Sequence, residues 1–178
     1  MATLNILPNA DVVNSPAWTI GTGSDVYAVL DDDDTGHVGS DSSDIEATAI
    51  NKNCVVNMDD IDTGVTINSV QGVVKHNNRG RGSSYTIEVK ILHSGGTYYG
   101  EDISGSGSAD WQTATLTSRT TSDGSNAWTP TQVNNLQMGL KLTAISGGTV
   151  GITYAYLIID YTAAVSATDN ATFFGANF

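Results

Sequence analysis

The chain has 178 residues, 39% of them hydrophobic and 15% charged, with 19 Gly and 3 Pro. That length suits one domain with its own core, and the composition is typical of short strands joined by many turns. A net charge of −12 argues against nucleic-acid binding, because an acidic surface repels phosphate backbones. No apolar run reaches membrane-spanning length and no secretory signal opens the sequence, so we expect no membrane contact and folding in a cytoplasm.

The first thirty residues are predicted to hold an arm and a first strand. Residues 1–17 show little periodicity and read as an N-terminal arm or an edge strand, whose apolar side chains are Leu4, Ile6 and Leu7. After a Gly-rich turn, residues 26–30 alternate between apolar and other side chains, which predicts the first core strand.

The middle of the chain reads as a series of short strands. After a polar loop over residues 31–44, strands are predicted at 45–49, 54–58 and 65–76, the last with a bulge near Gly72. The clearest alternation runs over residues 83–93, with Tyr85, Ile87, Val89 and Ile91 on one face. Further strands are predicted at 97–103 and 111–117.

A short helical turn precedes the last two strands. Thr129 fits an N-cap, Pro130 the first helical position and Gln132 the third residue of a capping box, which predicts one turn near 130–136. The two strands then follow, with Met138, Leu140 and Leu142 on one face of the first, and Val150, Ile152, Tyr154, Tyr156 and Ile158 on one face of the second.

The rhythm of about eight strands predicts an all-β fold, an antiparallel β-sandwich of jelly-roll-like type. The sandwich is predicted to span residues 18–162. Residues 163–178 are predicted to be a C-terminal arm, since they are small and polar and end in Phe173, Phe174 and Phe178. Docking of this segment elsewhere and folding back onto its own domain are both open alternatives.

Acidic loops provide the only candidate metal ligands. Asp31, Asp33, Asp59 and Asp62 could supply oxygen atoms to Ca²⁺. The twelve-residue Ca²⁺ loop pattern is not met, so we predict solvated turn aspartates and no cofactor. The three histidines, His37, His76 and His93, have no ligand spacing and are predicted to lie on the surface at strand ends.

The sequence gives little support to catalysis. Cys54 is alone in the chain and is predicted to be a buried structural thiol, because a nucleophile needs a basic neighbour. Glu88 and Glu101 are the one conceivable glycosidase pair, but Glu88 lies on the wet face of a regular strand. We therefore predict a protein that is not an enzyme.

Aromatic side chains raise a second possibility. Trp18, Trp111, Tyr98 and Tyr99 could line a sugar-binding face, where flat rings stack on pyranose rings. The alternative is that these rings close the core of the sandwich, which is their more frequent role.

Three stretches of the sequence resemble small β-sandwich structural proteins of tailed bacteriophages. They are Leu-Pro-Asn-Ala-Asp (7–11) with Pro-Ala-Trp-Thr (16–19), Tyr-Ala-Val-Leu-Asp-Asp-Asp-Asp-Thr (27–35), and residues 128–141 closing on 155–161. The resemblance implies a jelly-roll-like sandwich and a structural role in the virion. It carries over no catalytic residue, and residues 36–126 take no part in it.

The leading hypothesis is a capsid decoration (cement) protein that binds the outer shell and bridges neighbouring capsid subunits. Its expected partners are the major capsid protein and two further copies of itself, since a trimer suits the local three-fold axes of a shell. It would be assembled in the host cytoplasm and lie on the capsid exterior. The alternatives are a carbohydrate-binding module of a tail or head fibre, and a tail-tube or head-completion component.

Overall fold

The computed structural model describes residues 1–21, 24–31, 44–79, 83–93, 96–107 and 110–164. Within these ranges lie eleven strands and two short helices. In chain order they are β1 (Ala2–Ile6), β2 (Pro8–Asn14), β3 (Thr19–Ile20), α1 (Val26–Leu30), β4 (Ile45–Ala47), β5 (Asn53–Met58), β6 (Val65–Asn78), β7 (Ser84–His93), β8 (Gly96–Ser106), β9 (Gln112–Thr115), α2 (Pro130–Val133), β10 (Gln137–Ile145) and β11 (Val150–Ala163).

The strands form two antiparallel sheets. The six-stranded sheet has the order β3-β4-β11-β6-β9, with β1 also paired to β11, and the five-stranded sheet has the order β2-β5-β10-β7-β8. Apolar side chains of both inner faces meet in one core, including Val74, Ile87, Leu140 and Leu157. The predicted antiparallel sandwich is therefore confirmed, with the strands divided more finely than the sequence indicated.

The alternation that predicted the central strands is reproduced by burial. On β7 the side chains of Tyr85, Ile87, Val89 and Ile91 are buried, and those between them are partly exposed. Met138, Leu140 and Leu142 on β10 are buried in the same way. One face of the five-stranded sheet is thus packed and the other faces solvent, as is usual in antiparallel sheets.

The N-terminal residues belong to the sandwich and do not project from it. Residues 2–6 pair with β11 of one sheet, from Ala2 opposite Tyr161 to Ile6 opposite Leu157. Residues 8–14 then pair with β5 of the other sheet. Because the chain crosses between sheets at Leu7, this segment closes one side of the core. The sequence predicted either an arm or an edge strand for residues 1–17. The structure shows strands here, β1 and β2, each paired with a strand of a sheet.

The prediction of a strand over residues 26–30 is wrong, because these residues form the helix α1. Val26, Val29 and Leu30 are buried, and a spacing of three and four places them on one helical face. The carboxylate of Asp11 accepts hydrogen bonds from the backbone N–H groups of Val26 at 3.0 Å and Tyr27 at 2.7 Å. This distant carboxylate satisfies donors that the first helical turn leaves without partners.

The predicted helical turn before β10 is confirmed as α2. The Thr129 hydroxyl accepts from the Gln132 backbone N–H at 3.2 Å, and the Gln132 side chain accepts from the Thr129 backbone N–H at 2.9 Å. These two bonds make a capping box with Pro130 at the start of the helix.

Candidate functional site

The outer surface of the six-stranded sheet carries a group of tyrosines that we call the tyrosine face, formed by Val73, Lys75, Thr113, Thr115, Tyr154, Tyr156 and Ile158. The rings of Tyr154 and Tyr156 lie 5.6 Å apart between centroids, tilted by 32°. Lys75 Nζ lies 5.3 Å from the Tyr154 ring centroid. The Thr113 hydroxyl lies 3.4 Å from the Tyr154 hydroxyl, so three strands contribute to the face.

A bulge in β11 creates this face. The pairing with β6 shifts register between Ile152 and Tyr154, which leaves Thr153 as an extra residue and changes the side on which the following residues lie. Val150 and Ile152 point into the core, and so do Ala155, Leu157 and Ile159 further along. Tyr154, Tyr156 and Ile158 consequently face outward. The predicted single face running from Val150 to Ile158 is therefore wrong.

An ionic group lies at one end of the same sheet. Arg79 donates from Nη2 to the Asp44 carboxylate at 2.7 Å and from Nη1 to Glu46. Asp44 is 1% exposed, so its charge is compensated within the protein rather than by water. The network ties the segment before and within β4 to the end of β6, across β11.

Gly151 of β11 leaves the space in which the side chains of this ionic group meet. It pairs with Glu46 on one side and with Asn77 on the other. A Cβ at this position would lie 2.5 Å from Asp44 Oδ2, 2.9 Å from Asn77 Oδ1 and 3.2 Å from Trp111 Cη2. Only a residue without a side chain lets these groups meet over β11.

The predicted sugar-facing aromatic residues do not form one platform. Trp18 is buried and donates from Nε1 to the Leu140 carbonyl at 3.3 Å. Tyr98 and Tyr99 are half-buried on β8. Trp111 is half-buried beside Gly151, next to the ionic group.

Tyr98 and Tyr99 pack beneath the segment that leads to α2. Tyr98 meets the buried ring of Trp128 edge to face, with centroids 5.0 Å apart. The guanidinium of Arg119 lies 5.1 Å from the Tyr99 ring centroid, and the Tyr99 hydroxyl donates to the Val70 carbonyl at 3.3 Å. Burial raises the pKa of Tyr99 above its ordinary value. These rings fasten a loop to the sandwich.

Glu101 fastens the same loop from β8. Its carboxylate accepts from Arg119 Nη2 at 2.9 Å and from the Thr117 backbone N–H at 3.0 Å. Burial raises the pKa of this carboxyl, but the bonds from Thr117 and Arg119 outweigh burial and hold the pKa below its usual value. Glu88, the other acid considered for catalysis, forms an ion pair with Lys90 at 2.9 Å.

The apolar residues predicted for the arms have different environments. Leu4 is exposed on β1, and Ile6 is buried in the core. Leu7 is partly buried, and its carbonyl accepts from the Asp59 backbone N–H at 2.8 Å. Phe173, Phe174 and Phe178 lie outside the described residues.

The candidate Ca²⁺ ligands do not converge where the structure describes them. Asp62 accepts from the Gly64 backbone N–H at 2.9 Å, as in a turn. Asp31 ends α1 and Asp59 follows β5, whereas Asp33 lies outside the described residues. Within the described ranges, no group of three or more His, Cys, Asp or Glu side chains could hold a metal ion.

Cys54 and His76 are both buried in the core. Burial raises the pKa of the Cys54 thiol, as expected for a structural cysteine. The expectation that His76 lies on the surface is wrong, because β6 continues to Asn78 and keeps this ring between the sheets. His93 is partly buried against Tyr98, with ring centroids 4.4 Å apart, and His37 lies outside the described residues.

Comparisons with known proteins show little similarity to this chain. No family model matches the chain, and no curated protein matches it. One similar solved structure is described as "CBM4 structure and function", with a TM-score of 0.38 and 17% identity over 61% of this chain and 72% of that chain. A likeness at this level carries no argument about function. In the part of the chain that the structure describes, no helix is long and apolar enough to cross a membrane.

Proposed function

We propose that this protein is a non-enzymatic structural protein of a tailed-phage virion, a capsid decoration protein that binds the outer shell and bridges neighbouring copies of the major capsid protein. The virion structural class comes from the resemblance of residues 7–11 with 16–19, 27–35, and 128–141 with 155–161 to β-sandwich structural proteins of tailed bacteriophages. The observation that carries the proposal is where these stretches lie in the fold.

The three stretches contact one another. Asp11 from the first accepts hydrogen bonds at the start of α1, which includes Tyr27 from the second. Trp18 from the first donates to the carbonyl of Leu140 from the third. Residues scattered over the sequence thus build one packed unit, which is what a resemblance to a whole sandwich requires.

Exposed apolar side chains indicate where the shell would be bound. Five large apolar side chains are exposed among the described residues, between 39% and 98%: Met1, Leu4, Val12, Val13 and Ile50. Four of them lie in the first thirteen residues. Because β2 ends the five-stranded sheet, its backbone and these side chains offer an edge to a partner. We propose that the capsid is bound through β1 and β2. Of the residues predicted from the sequence, Leu4 is exposed and belongs to this surface, whereas Ile6 is buried and does not.

Copy number in purified virions is the first test. Mass spectrometry against the major capsid protein should give a ratio near one to one for a shell coat. A few copies per particle would favour a fibre, tail-tube or head-completion role, and absence from virions would overturn the structural role.

The attachment surface has its own test. Shells that lack the protein should bind the purified chain, and the combined substitution Leu4→Ser, Val12→Ser and Val13→Ser should weaken binding at least tenfold. Ile50→Ser is the control, because Ile50 is more exposed than any of these three residues but lies outside β1 and β2. Equal loss with both variants would contradict this placement.

A sugar-binding role has less support. Stacking on a pyranose needs an accessible ring face, yet none of the 3 Trp and 7 Tyr side chains, all of which the structure describes, is more than partly exposed. A glycan array with the purified chain should therefore give no signal. Specific binding that is lost on Trp111→Ala would instead favour the fibre module.

A further inference from the structure

A cleft lined mainly by amide side chains lies at one end of the five-stranded sheet, between the turn after β5 and the start of β10. Its volume is about 210 Å³. None of the lining residues that the structure describes is Lys, Arg or His. We call it the amide cleft, and its polar lining residues are Asn9, Asn57, Asp60, Asn134, Asn135 and Gln137.

Strand pairing and α2 fix the walls of the amide cleft. Asn57 on β5 lies opposite Gln137 on β10, and Gln137 Nε2 donates to Asn57 Oδ1 at 2.9 Å. The pairing of β2 with β5 shifts register around Asn9, which leaves this residue as the extra one of a bulge. Asn134 Oδ1 accepts from the Ile61 backbone N–H at 2.8 Å, and Asn134 Nδ2 donates to the Ile61 carbonyl at 3.1 Å. The turn after β5 is thus held against the end of α2.

Main-chain carbonyls fix the orientation of two of the amides. Asn9 Nδ2 donates to the Met58 carbonyl at 3.2 Å, and Asn135 Nδ2 donates to the Thr131 carbonyl at 2.7 Å. Because a carbonyl oxygen only accepts, each bond needs the amide nitrogen and leaves Oδ1 of the same amide for another donor. Among the described residues, no donor reaches either Oδ1 atom or Gln137 Oε1.

The groups left for a ligand are mostly acceptors. They include these three amide oxygens and the exposed carboxylate of Asp60. Three of the amide NH2 groups are already engaged, and a fourth, on Asn134, bonds Ile61. Asp59 and Asp62 lie in the same turn as Asp60 and add to the negative potential. A matching ligand therefore brings hydrogen-bond donors and positive charge.

We propose that the amide cleft binds an arginine side chain of the partner protein. A guanidinium offers five N–H donors in one plane and always carries its charge, so it can serve several oxygen acceptors at once. This inference rests on the proposed attachment through β1 and β2, because Asn9 belongs to β2. Ca²⁺ matches less well, since it takes about six to eight oxygen ligands and its affinity depends on their charge. Asp60 is the one carboxylate in the lining that the structure describes.

An NMR titration with a small probe tests this binding without a shell. N-acetyl-arginine amide is added to the ¹⁵N-labelled full chain. N-acetyl-citrulline amide is the control, because its urea group has the shape of a guanidinium without the charge. The arginine probe should give saturable shifts of the side-chain amide signals of Asn9, Asn57, Asn135 and Gln137. The citrulline probe should bind about threefold more weakly or less.

A pair of variants separates the amide cleft from the rest of the acidic surface. Asp60→Asn should weaken binding of the arginine probe about threefold. Asp62→Asn is the matched control, because it removes the same charge from the same turn and Asp62 does not line the cleft. It should leave probe binding nearly unchanged. Binding to shells should fall in the same order, with Asp60→Asn weaker than Asp62→Asn.

Several outcomes would overturn the proposal. They are the absence of saturable shifts, equal binding of the two probes, and equal loss with both variants. Ca²⁺ that shifts the same signals at lower concentration would make the cleft a metal site. Probe binding without any effect of Asp60→Asn on shell binding would assign the cleft to a free ligand. The probe titration does not depend on whether the protein occurs in virions, so its failure and failure of the proposed function are separate.

Discussion

The Nδ1 atom of His76 and the phenolic oxygen of Tyr85 lie 2.5 Å apart, and this contact joins the two sheets through the core. His76 belongs to β6 and Tyr85 to β7, and their rings meet edge to face at 5.5 Å. Burial lowers the pKa of His76 to about 4 and raises the pKa of Tyr85 to about 12. Both groups are therefore neutral at pH 7.

We expect stability to fall as the pH falls from about 6.5 to about 4. The unfolded chain holds His76 at its ordinary pKa of 6.5, so it binds a proton before the folded chain does, and proton uptake favours unfolding. Above this window neither state is protonated there, and His76 adds no pH dependence. The loss across the window is on the order of 3 kcal/mol, and urea midpoints at pH 7 and pH 4.5 measure it.

A variant that cannot titrate separates His76 from other groups. In the His76→Phe variant, the urea midpoint should fall much less between pH 7 and pH 4.5 than it does in the original protein. This holds whatever the stability of the variant is at pH 7. If the variant keeps the full decrease, the carboxyl groups of this acidic protein cause it and His76 does not.

Gly151→Ala should destabilise the sandwich. The new Cβ would lie 2.5 Å from the carboxylate of Asp44 and 2.9 Å from the amide of Asn77, so the ionic group over β11 must move. Overpacking of this kind costs about 1–3 kcal/mol. Gly64→Ala is the control, because the nearest atom to its Cβ would be at an ordinary 3.5 Å. Denaturant midpoints that shift equally in both variants would contradict a special role for Gly151.

The strand pattern and the capping box could be predicted from the sequence, because both depend on neighbouring residues. The apolar side chains from Tyr85 to Ile91 recur every second residue, and this pattern does not depend on which strands pair with β7. The capping box needs only residues 129–132. The helix α1 could not be predicted in this way, because five residues fit both periods and the deciding hydrogen bonds come from Asp11. A contact so distant in sequence leaves no local signal.

The tyrosine face was hidden for a similar reason. Val150 to Ile158 alternate without interruption in the sequence, and nothing in Thr153 marks it as the extra residue of a bulge. The bulge follows from pairing with β6, which is a tertiary feature. The sequence therefore directed attention to Trp18, Tyr98 and Tyr99, which pack inside or beneath a loop, and away from Tyr154 and Tyr156. The available signal for this face was the pair Tyr154 and Tyr156, two residues apart in the last strand, which places both rings on the same side of a sheet.

Replacing Arg79 should cost more than replacing Lys90. Arg79→Met removes one partner from the buried carboxylate of Asp44, although the Arg79 guanidinium itself is partly exposed, and loss of a partner by a buried acceptor costs about 1–3 kcal/mol. Lys90→Met removes an ion pair with Glu88 whose members are both partly exposed, and such pairs contribute about 0–1 kcal/mol. Free energies of unfolding for the two variants test this contrast, and similar losses would mean that Asp44 does not depend on Arg79.

Thr129→Ala should weaken the capping box that sets the start of α2. The substitution removes the hydroxyl that accepts from the Gln132 backbone N–H, and loss of such a cap costs about 1 kcal/mol. Thr131→Ala is the control, since this exposed threonine lies in the same turn and only its backbone carbonyl is used, by Asn135. Because α2 leads into β10 in the middle of the five-stranded sheet, the loss should appear as a lower midpoint of global unfolding. A midpoint that Thr131→Ala lowers as much as Thr129→Ala does would show that the Thr129 hydroxyl is not what stabilises this turn.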